Sequence, residues 1–230
     1  HDMGLVGFLA LPMTKGVDLV QAAPQDFLAH PGNWMQWLSD YRATATAGPN
    51  FSWVLATRAL KRMKDLDLSR LTVALSGAEP VDPKAVDAFV AEASRFGFTP
   101  GGMFPAFGMA EVAIGGTFPP RRRGLVTDTV DRIVLETQRV AKPVEIHDED
   151  ELGLTARQLP LLGKPVPGLE MEAVDPETFE VRGRWELDRG PQHLAYDVWW
   201  HLGLDTMVTS TWGQDSPAPV NGLALLSVTS

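Results

Sequence analysis

Along the first half of the chain, apolar and polar positions group into blocks that read in turn as strand, loop and helix. Residues 17–23 form a short apolar run and predict a strand. Residues 24–41 carry Phe27, Leu28, Trp34, Trp37, Leu38 and Tyr41 at mostly helical spacing, which predicts a core-facing aromatic stripe. Pro31 and Gly32 interrupt it and predict two pieces or a kink. Residues 43–47 read as a second strand ended by the Gly48-Pro49-Asn50 turn. Asn50 is the expected N-cap of a helix whose apolar positions are Phe51, Val54, Leu55 and Leu60. Residues 71–75 predict a third strand and residues 77–80 a loop, and Asp82-Pro83 starts a helix carrying Ala85, Val86, Phe89 and Val90. Repeated strand-loop-helix units with continuous apolar strands imply an α/β fold with a mainly parallel sheet, and such sheets bind ligands outside the carboxyl ends of their strands.

Composition narrows the class. A chain of 230 residues, 44% of them hydrophobic, buries a real core and fits one large domain or one domain with an appendage. Its 18 prolines and 21 glycines favour many short elements over a helical bundle. A net charge of -9 argues against a nucleic-acid partner or an anionic membrane surface, while leaving room for a local basic pocket for a nucleotide. The absence of cysteine excludes disulfides, thiolate catalysis and Cys-based zinc or iron-sulfur sites, and it fits a reducing cytoplasmic setting. The apolar run at residues 5–12 is too short to cross a bilayer, so no integral membrane segment is expected.

Two segments carry the candidate chemistry. Ser76-Gly77-Ala78-Glu79-Pro80 and Phe104-Pro105-Ala106-Phe107-Gly108-Met109-Ala110-Glu111 are strand-to-loop turns in which small residues let a flat ligand approach the backbone. The second ends in a carboxylate placed to reach a metal-bound phosphate. With His1-Asp2-Met3-Gly4-Leu5, Tyr41-Arg42-Ala43-Thr44, Gly48-Pro49-Asn50-Phe51, Leu66-Asp67-Leu68-Ser69 and Gly163-Lys164-Pro165-Val166-Pro167-Gly168, they occur in an order that resembles the fatty-acyl-AMP ligases of the adenylate-forming, AMP-binding superfamily. The resemblance covers about residues 1–176 and implies part of that family's N-terminal α/β domain, with a mainly parallel sheet and flanking helices.

The resemblance implies ATP and Mg2+ as cofactors, a fatty acid as substrate, and an acyl carrier protein or polyketide synthase carrier domain as the acceptor of the acyl group on its pantetheine thiol. By it, Glu111 is the catalytic metal anchor. Phe107, Gly108 and Met109 meet the adenine from one side, and Gly77, Ala78 and Glu79 line it from the other. His1 and Met3 are assigned to the acyl and pantetheine channel, Asn50 and Phe51 to the acyl pocket. The family usually has Tyr at the position of Phe107 and Asn at that of Ser76, so stacking is kept while polar contacts to the nucleotide differ.

Each position also has a plainer reading. Taken alone, Glu111 reads as a solvated or helix-capping acid, and only the full motif makes it a metal ligand. Glu79 is equally suited to accept hydrogen bonds from the start of the next helix. Arg121, Arg122 and Arg123, and the acidic run from His147 to Glu151, read as solvated loops.

After Asp175-Pro176-Glu177-Thr178 the pattern changes. Segments around Val181-Arg182-Gly183-Arg184-Trp185 and His193-Leu194-Ala195-Tyr196-Asp197-Val198-Trp199-Trp200-His201 resemble the selenium-binding protein, or methanethiol oxidase, family. Alternating positions there suit short strands, so residues 177–230 are expected to form a β-rich tail like a fragment of a propeller. By that resemblance His193 and His201 are copper-ligand candidates, although structural or exposed histidines are the simpler reading. The ligase family's phosphate loop and C-terminal catalytic Lys domain are not found in these 230 residues. The expectation is a partial or fused chain in which fatty-acid activation is incomplete, the alternative being a non-catalytic α/β fragment with weak nucleotide or acyl binding.

Overall fold

In a computed structural model, the structure describes residues 3–138, 140–145, 154–174, 181–184, 192–201, 206–213 and 221–227, with the strands from residue 172 onward described by their backbone. It divides into two compact units. The first comprises His1–Gly108, Thr117–Asp128 and Gln158–Gly163, and the second Met109–Gly116, Thr129–Arg157 and Lys164–Ser230.

The first unit is α/β. A π-helical segment, Met3–Ala10, leads into helix α1 (Leu11–Lys15), followed by α2 (Pro24–Ala29) and α3 (Gly32–Asp40). Strand β1 (Ala45–Gly48), helix α4 (Asn50–Leu60), strand β2 (Val73–Ser76), helix α5 (Pro83–Ser94) and strand β3 (Met103–Pro105) complete the repeating unit. The three strands form one parallel sheet in the order β1-β2-β3, with Gly48 beside Ser76 and Ser76 beside Pro105. All three therefore end at the same edge.

The break at Pro31-Gly32 is as the sequence predicts, since α2 stops at Ala29 and α3 restarts at Gly32. So is the start of α5, where Asp82 accepts from Lys84 N at 3.0 Å and Pro83 takes the first helical position. Residues 17–23 are not a strand. Val17 and Val20 face solvent, and a strand exists only through the ladder to a neighbour, which an apolar run does not supply by itself. The expected aromatic stripe is also split: Leu38 is buried and Trp34 packs on the core, but Leu28 and Tyr41 are 61% and 62% exposed, and the fully buried residue of α3 is Met35.

Helix α4 buries a face that agrees with its apolar spacing at Leu60 and departs from it at the start of the helix. Ser52, Trp53, Ala56, Thr57 and Leu60 face the core, while Phe51 is 53% exposed. Trp53 decides this orientation. Its indole is completely buried, stands 4.8 Å from Trp34 and 4.7 Å from Phe89 between ring centroids, and donates Nε1–H to the Gly48 carbonyl at 2.8 Å. Phe89 continues the row to Phe98 at 5.6 Å, and Trp34 to Phe27 at 5.6 Å. Around this row close Leu60, Leu68, Leu71, Val86 and Met103. Strand β4 (Thr117–Phe118) adds Phe118, stacked on Phe104 at 5.6 Å.

The second unit is mainly β. Strands β5 (Thr127–Asp131) and β6 (Ala156–Pro160) each cross the division between units, and helix α6 (Arg132–Gln138) follows β5 with Asp131 accepting from Val134 N at 2.9 Å. Beyond β7 (Lys164–Pro165), strand β8 (Glu172–Val174) pairs antiparallel with β9 (Val181–Arg184). Strands β10 (Gln192–His201), β11 (Thr206–Gly213) and β12 (Asn221–Ser227) form an antiparallel sheet in that order. The expected β-rich tail is present in its backbone. No helix among the described residues is long and apolar enough to cross a membrane.

Two outcomes follow for stability. Trp53→Ala should lower the unfolding free energy by about 3–5 kcal/mol in urea titration, because it empties the centre of the aromatic row and removes the indole donor to the Gly48 carbonyl. Asp87 on α5 is held above its ordinary pKa of 3.8, first by partial burial and then by the Asp82 carboxylate. A raised carboxyl pKa makes the ionised form a liability in the folded state, present above the folded pKa and absent below the unfolded one. Asp87→Asn should therefore raise the melting temperature at neutral pH, with the gain disappearing as pH falls below 3.8.

Candidate functional site

The carboxyl edge of the parallel sheet gathers three turns. Strand β1 gives way to Gly48-Pro49-Asn50, β2 to Gly77-Ala78-Glu79-Pro80, and β3 to Ala106-Phe107-Gly108. Of the residues predicted from sequence, Asn50, Phe51, Gly77, Ala78, Glu79, Phe107 and Gly108 thus fall in the first unit, on or beside these turns. Met3, half-buried in the π-helical segment, belongs to the same unit. Met109 and Glu111 fall in the second unit, so the Phe-Gly-Met-Ala-Glu motif is divided between Gly108 and Met109. His1 lies outside the described residues, as do the turn at 175–178 and the acidic run from 147 to 151.

Gly77 is needed for a steric reason. A Cβ there would stand 2.9 Å from the backbone oxygen of Ala106, so the turns after β2 and β3 touch where only hydrogen fits. The next residue, Ala78, holds a left-handed φ of +68°, uncommon for a residue with a side chain. Ser76, just before them, is fully buried, and its Oγ has no hydrogen-bond partner among the described residues. An unpaired hydroxyl at the end of a parallel strand fits a polar ligand or an ordered water at that edge.

Asn50 does not cap α4 as expected. It is the first helical residue, preceded by Pro49, and its groups point across to the β2 turn: its N–H donates to Glu79 Oε1 at 2.6 Å, Nδ2 donates to the Pro80 carbonyl at 2.6 Å, and Oδ1 accepts from Asp82 N at 2.9 Å. Glu79 thus accepts from the start of the preceding helix α4, not from the next helix. The pairing joins residues 29 positions apart in the chain, which no local pattern reveals.

Phe107 is half-buried and tied to β4 by paired bonds, its N–H to the Thr117 carbonyl at 3.2 Å and the Thr117 N–H to its own carbonyl at 2.8 Å. Thr117 Oγ1 is a second buried hydroxyl with no partner among the described residues, and its position carried no signal in the sequence. In the second unit Glu111 is exposed on a 3-10 turn, Ala110–Val112. Ala113 and Ile114 follow at φ +52° and +76°. For β-branched Ile114 this is a strained conformation, costing about 1–3 kcal/mol.

Mg2+ that bridges phosphates is held by one or two carboxylates, whereas a full protein cage needs more. Among the described residues no group of three or more His, Asp or Glu gathers to hold a metal, so exposed Glu111 fits the first kind of site and not the second. The arginine triplet is only partly solvated. Arg121 and Arg122 are exposed, but Arg123 is half-buried with its Nη2 unpaired among the described residues.

Comparison with known proteins gives two kinds of match. The 56 kDa selenium binding protein family matches residues 105–229, which reaches well upstream of the change of pattern near residue 176. The chain is also similar to a putative ligase of Mycobacterium tuberculosis, 39% identical over 178 residues, or 76% of this chain and 31% of that protein. A medium-chain fatty acid acyl-carrier-protein ligase of Teredinibacter turnerae is 35% identical over 136 residues, 57% of this chain and 21% of that protein. Among solved structures, the fatty acyl-adenylate ligase of L. pneumophila in complex with acyl adenylate and pyrophosphate superposes with a TM-score of 0.67 at 25% identity, covering 95% of this chain and 34% of that one. The chain spans about a third or less of the length of these relatives.

Because the Cβ of a substituted Gly77 meets backbone, not a movable side chain, Gly77→Ala should destabilise the protein by about 1–3 kcal/mol in urea unfolding. Unchanged stability would show that the two turns do not touch as described.

Proposed function

Since the chain belongs to the 56 kDa selenium binding protein family through residues 105–229 and is homologous to the fatty acyl-AMP ligases of the AMP-binding superfamily over about 76% of its length, we propose that the carboxyl edge of its parallel sheet binds the adenylate of an activated fatty acid. The observation that carries this reading is the convergence of the Gly48-Pro49-Asn50, Gly77-Ala78-Glu79-Pro80 and Ala106-Phe107-Gly108 turns at one sheet edge, with the buried, unpaired Ser76 hydroxyl among them. The Teredinibacter turnerae and L. pneumophila relatives are ligases of fatty acids, and for the whole protein the corresponding reaction is activation of a fatty acid followed by transfer to a carrier pantetheine thiol. Mg-ATP supplies the leaving pyrophosphate and the phosphate that the fatty-acid carboxylate oxygen bonds to.

The chain's own groups have distinct roles. Phe107 offers a ring face for the adenine, Gly77 and Gly108 leave its approach clear, and the Ser76 hydroxyl supplies a hydrogen bond to the base side of the site. Glu111, exposed in the second unit, is the carboxylate that would hold Mg2+, whose chemistry when bound is charge stabilisation on phosphate oxygens. Met3 and Phe51 contribute apolar surface for the acyl chain. Residues 1–176 are the ligase-like part, and the part related to the selenium binding proteins begins within it, at residue 105, and continues into residues 177–230.

The test is titration of a non-hydrolysable acyl-adenylate analogue into the 230-residue chain by calorimetry, beside fatty-acid-dependent ATP-pyrophosphate exchange. Saturable binding is expected, and Phe107→Ala should weaken it roughly 5- to 150-fold, the range for loss of one base-aromatic stack. Any exchange activity should vanish in Glu111→Ala. Binding without exchange would identify the chain as an adenylate-binding part of the enzyme. No binding, together with thiol-dependent peroxide formation by the copper-loaded chain, would overturn the reading in favour of the chemistry associated with the tail.

A further inference from the structure

The sequence resemblance places Asn50 in the acyl pocket and Glu79 beside the purine, yet both spend their polar groups on each other's segments. Asn50 engages its N–H, its side-chain amide and its side-chain carbonyl with Glu79, Pro80 and Asp82 in turn. Asp82 passes the restraint on by capping α5 through Lys84 N. The start of α4 is thereby fastened to the whole turn that follows β2 and to the start of the next helix. On its other side the same turn is closed by the Ala106 backbone against Gly77.

Between these two restraints lies Ala78 with its left-handed backbone. Such a conformation persists only where the surroundings over-determine it. The restraints come from residues 29 to 32 positions away in the chain. We propose that Asn50 and Glu79 are positioning residues, a polar brace that holds the Gly77-Ala78 turn in its ligand-receiving conformation before any ligand arrives, and that neither contacts the acyl chain. The proposal rests on the adenylate reading of this edge. Its physical content is that the ordering cost of the turn is met in folding and not on binding, which is how preorganisation raises affinity.

The experiment uses the 230-residue chain with Asn50→Ala, Glu79→Ala and Glu79→Gln. Amide hydrogen exchange at residues 77–80 and calorimetric affinity for the acyl-adenylate analogue are measured on each, well below its melting temperature. The brace predicts that Asn50→Ala and Glu79→Ala speed exchange in the turn and weaken affinity about tenfold, as loss of one or two such hydrogen bonds implies. Glu79→Gln, which keeps the acceptor oxygen, should stay within about twofold of the unmodified chain. Weaker affinity with exchange unchanged would mean that the residues touch the ligand, and would overturn the proposal. Faster exchange or lower stability with unchanged affinity would mean that the brace serves the fold alone, which also overturns it. Exposed Glu79 is a milder lesion than half-buried Asn50, so its two variants decide the matter if Asn50→Ala fails to fold. Absence of binding by the unmodified chain defeats the adenylate reading itself, and the proposal with it.

Discussion

Trp53 is completely buried, yet its indole N–H must have an acceptor, and it takes the carbonyl of Gly48 at the very end of β1. That one bond fixes the rotation of α4 about its axis and the point at which β1 turns into it. The rings of Trp34 and Phe89 close on either side, so the indole spans from the layer of α3 to that of α5. Once α4 is set in this way, its first residue faces the turn after β2, and the carboxyl edge of the sheet acquires its shape.

The edge combines rigidity with strain. Three parallel strands end in register, which brings three turns together without any of them being long. Short turns leave little slack, and the structure accommodates this with a glycine that admits a neighbouring carbonyl, an alanine in the left-handed region and a hydroxyl buried without a partner among the described residues. Features of this kind are costly in a merely structural edge and concentrate where a ligand is received. Beyond Gly108 the chain enters the second unit, where Ile114 is held in a conformation that β-branched residues rarely adopt. Strain therefore flanks the segment bearing Glu111 as well.

The match to the selenium binding proteins and the 76% of the chain that is similar to the putative ligase overlap, and the former takes in residues 105–174. In the fold they contribute to both units, and the motif of Phe107 and Glu111 is parted at the division. Within the second unit β12, from the tail, approaches β8 and the 3-10 turn of Glu111.

Local pattern was enough for the alternation of strand and helix, the break at Pro31-Gly32, the Asp82 cap, and the placing of the Gly-Ala-Glu-Pro and Phe-Gly-Met-Ala-Glu turns at strand ends, because each depends on residues within one or two turns of chain. The buried face of α4 was not readable in this way. Apolar spacing favoured Phe51, Val54, Leu55 and Leu60, of which Leu60 is buried, whereas the polar end of Trp53 and its fit between two other rings chose Ser52, Trp53 and Ala56. Residues 17–23 have strand composition and no strand, because a ladder needs a partner that composition cannot provide. For Asn50 and Glu79 the sequence indicated polar residues beside a site, and what they do there became visible in the folded chain alone. Their hydrogen bonds run across about thirty residues, and contacts at that separation exist only after the sheet has brought the two turns side by side.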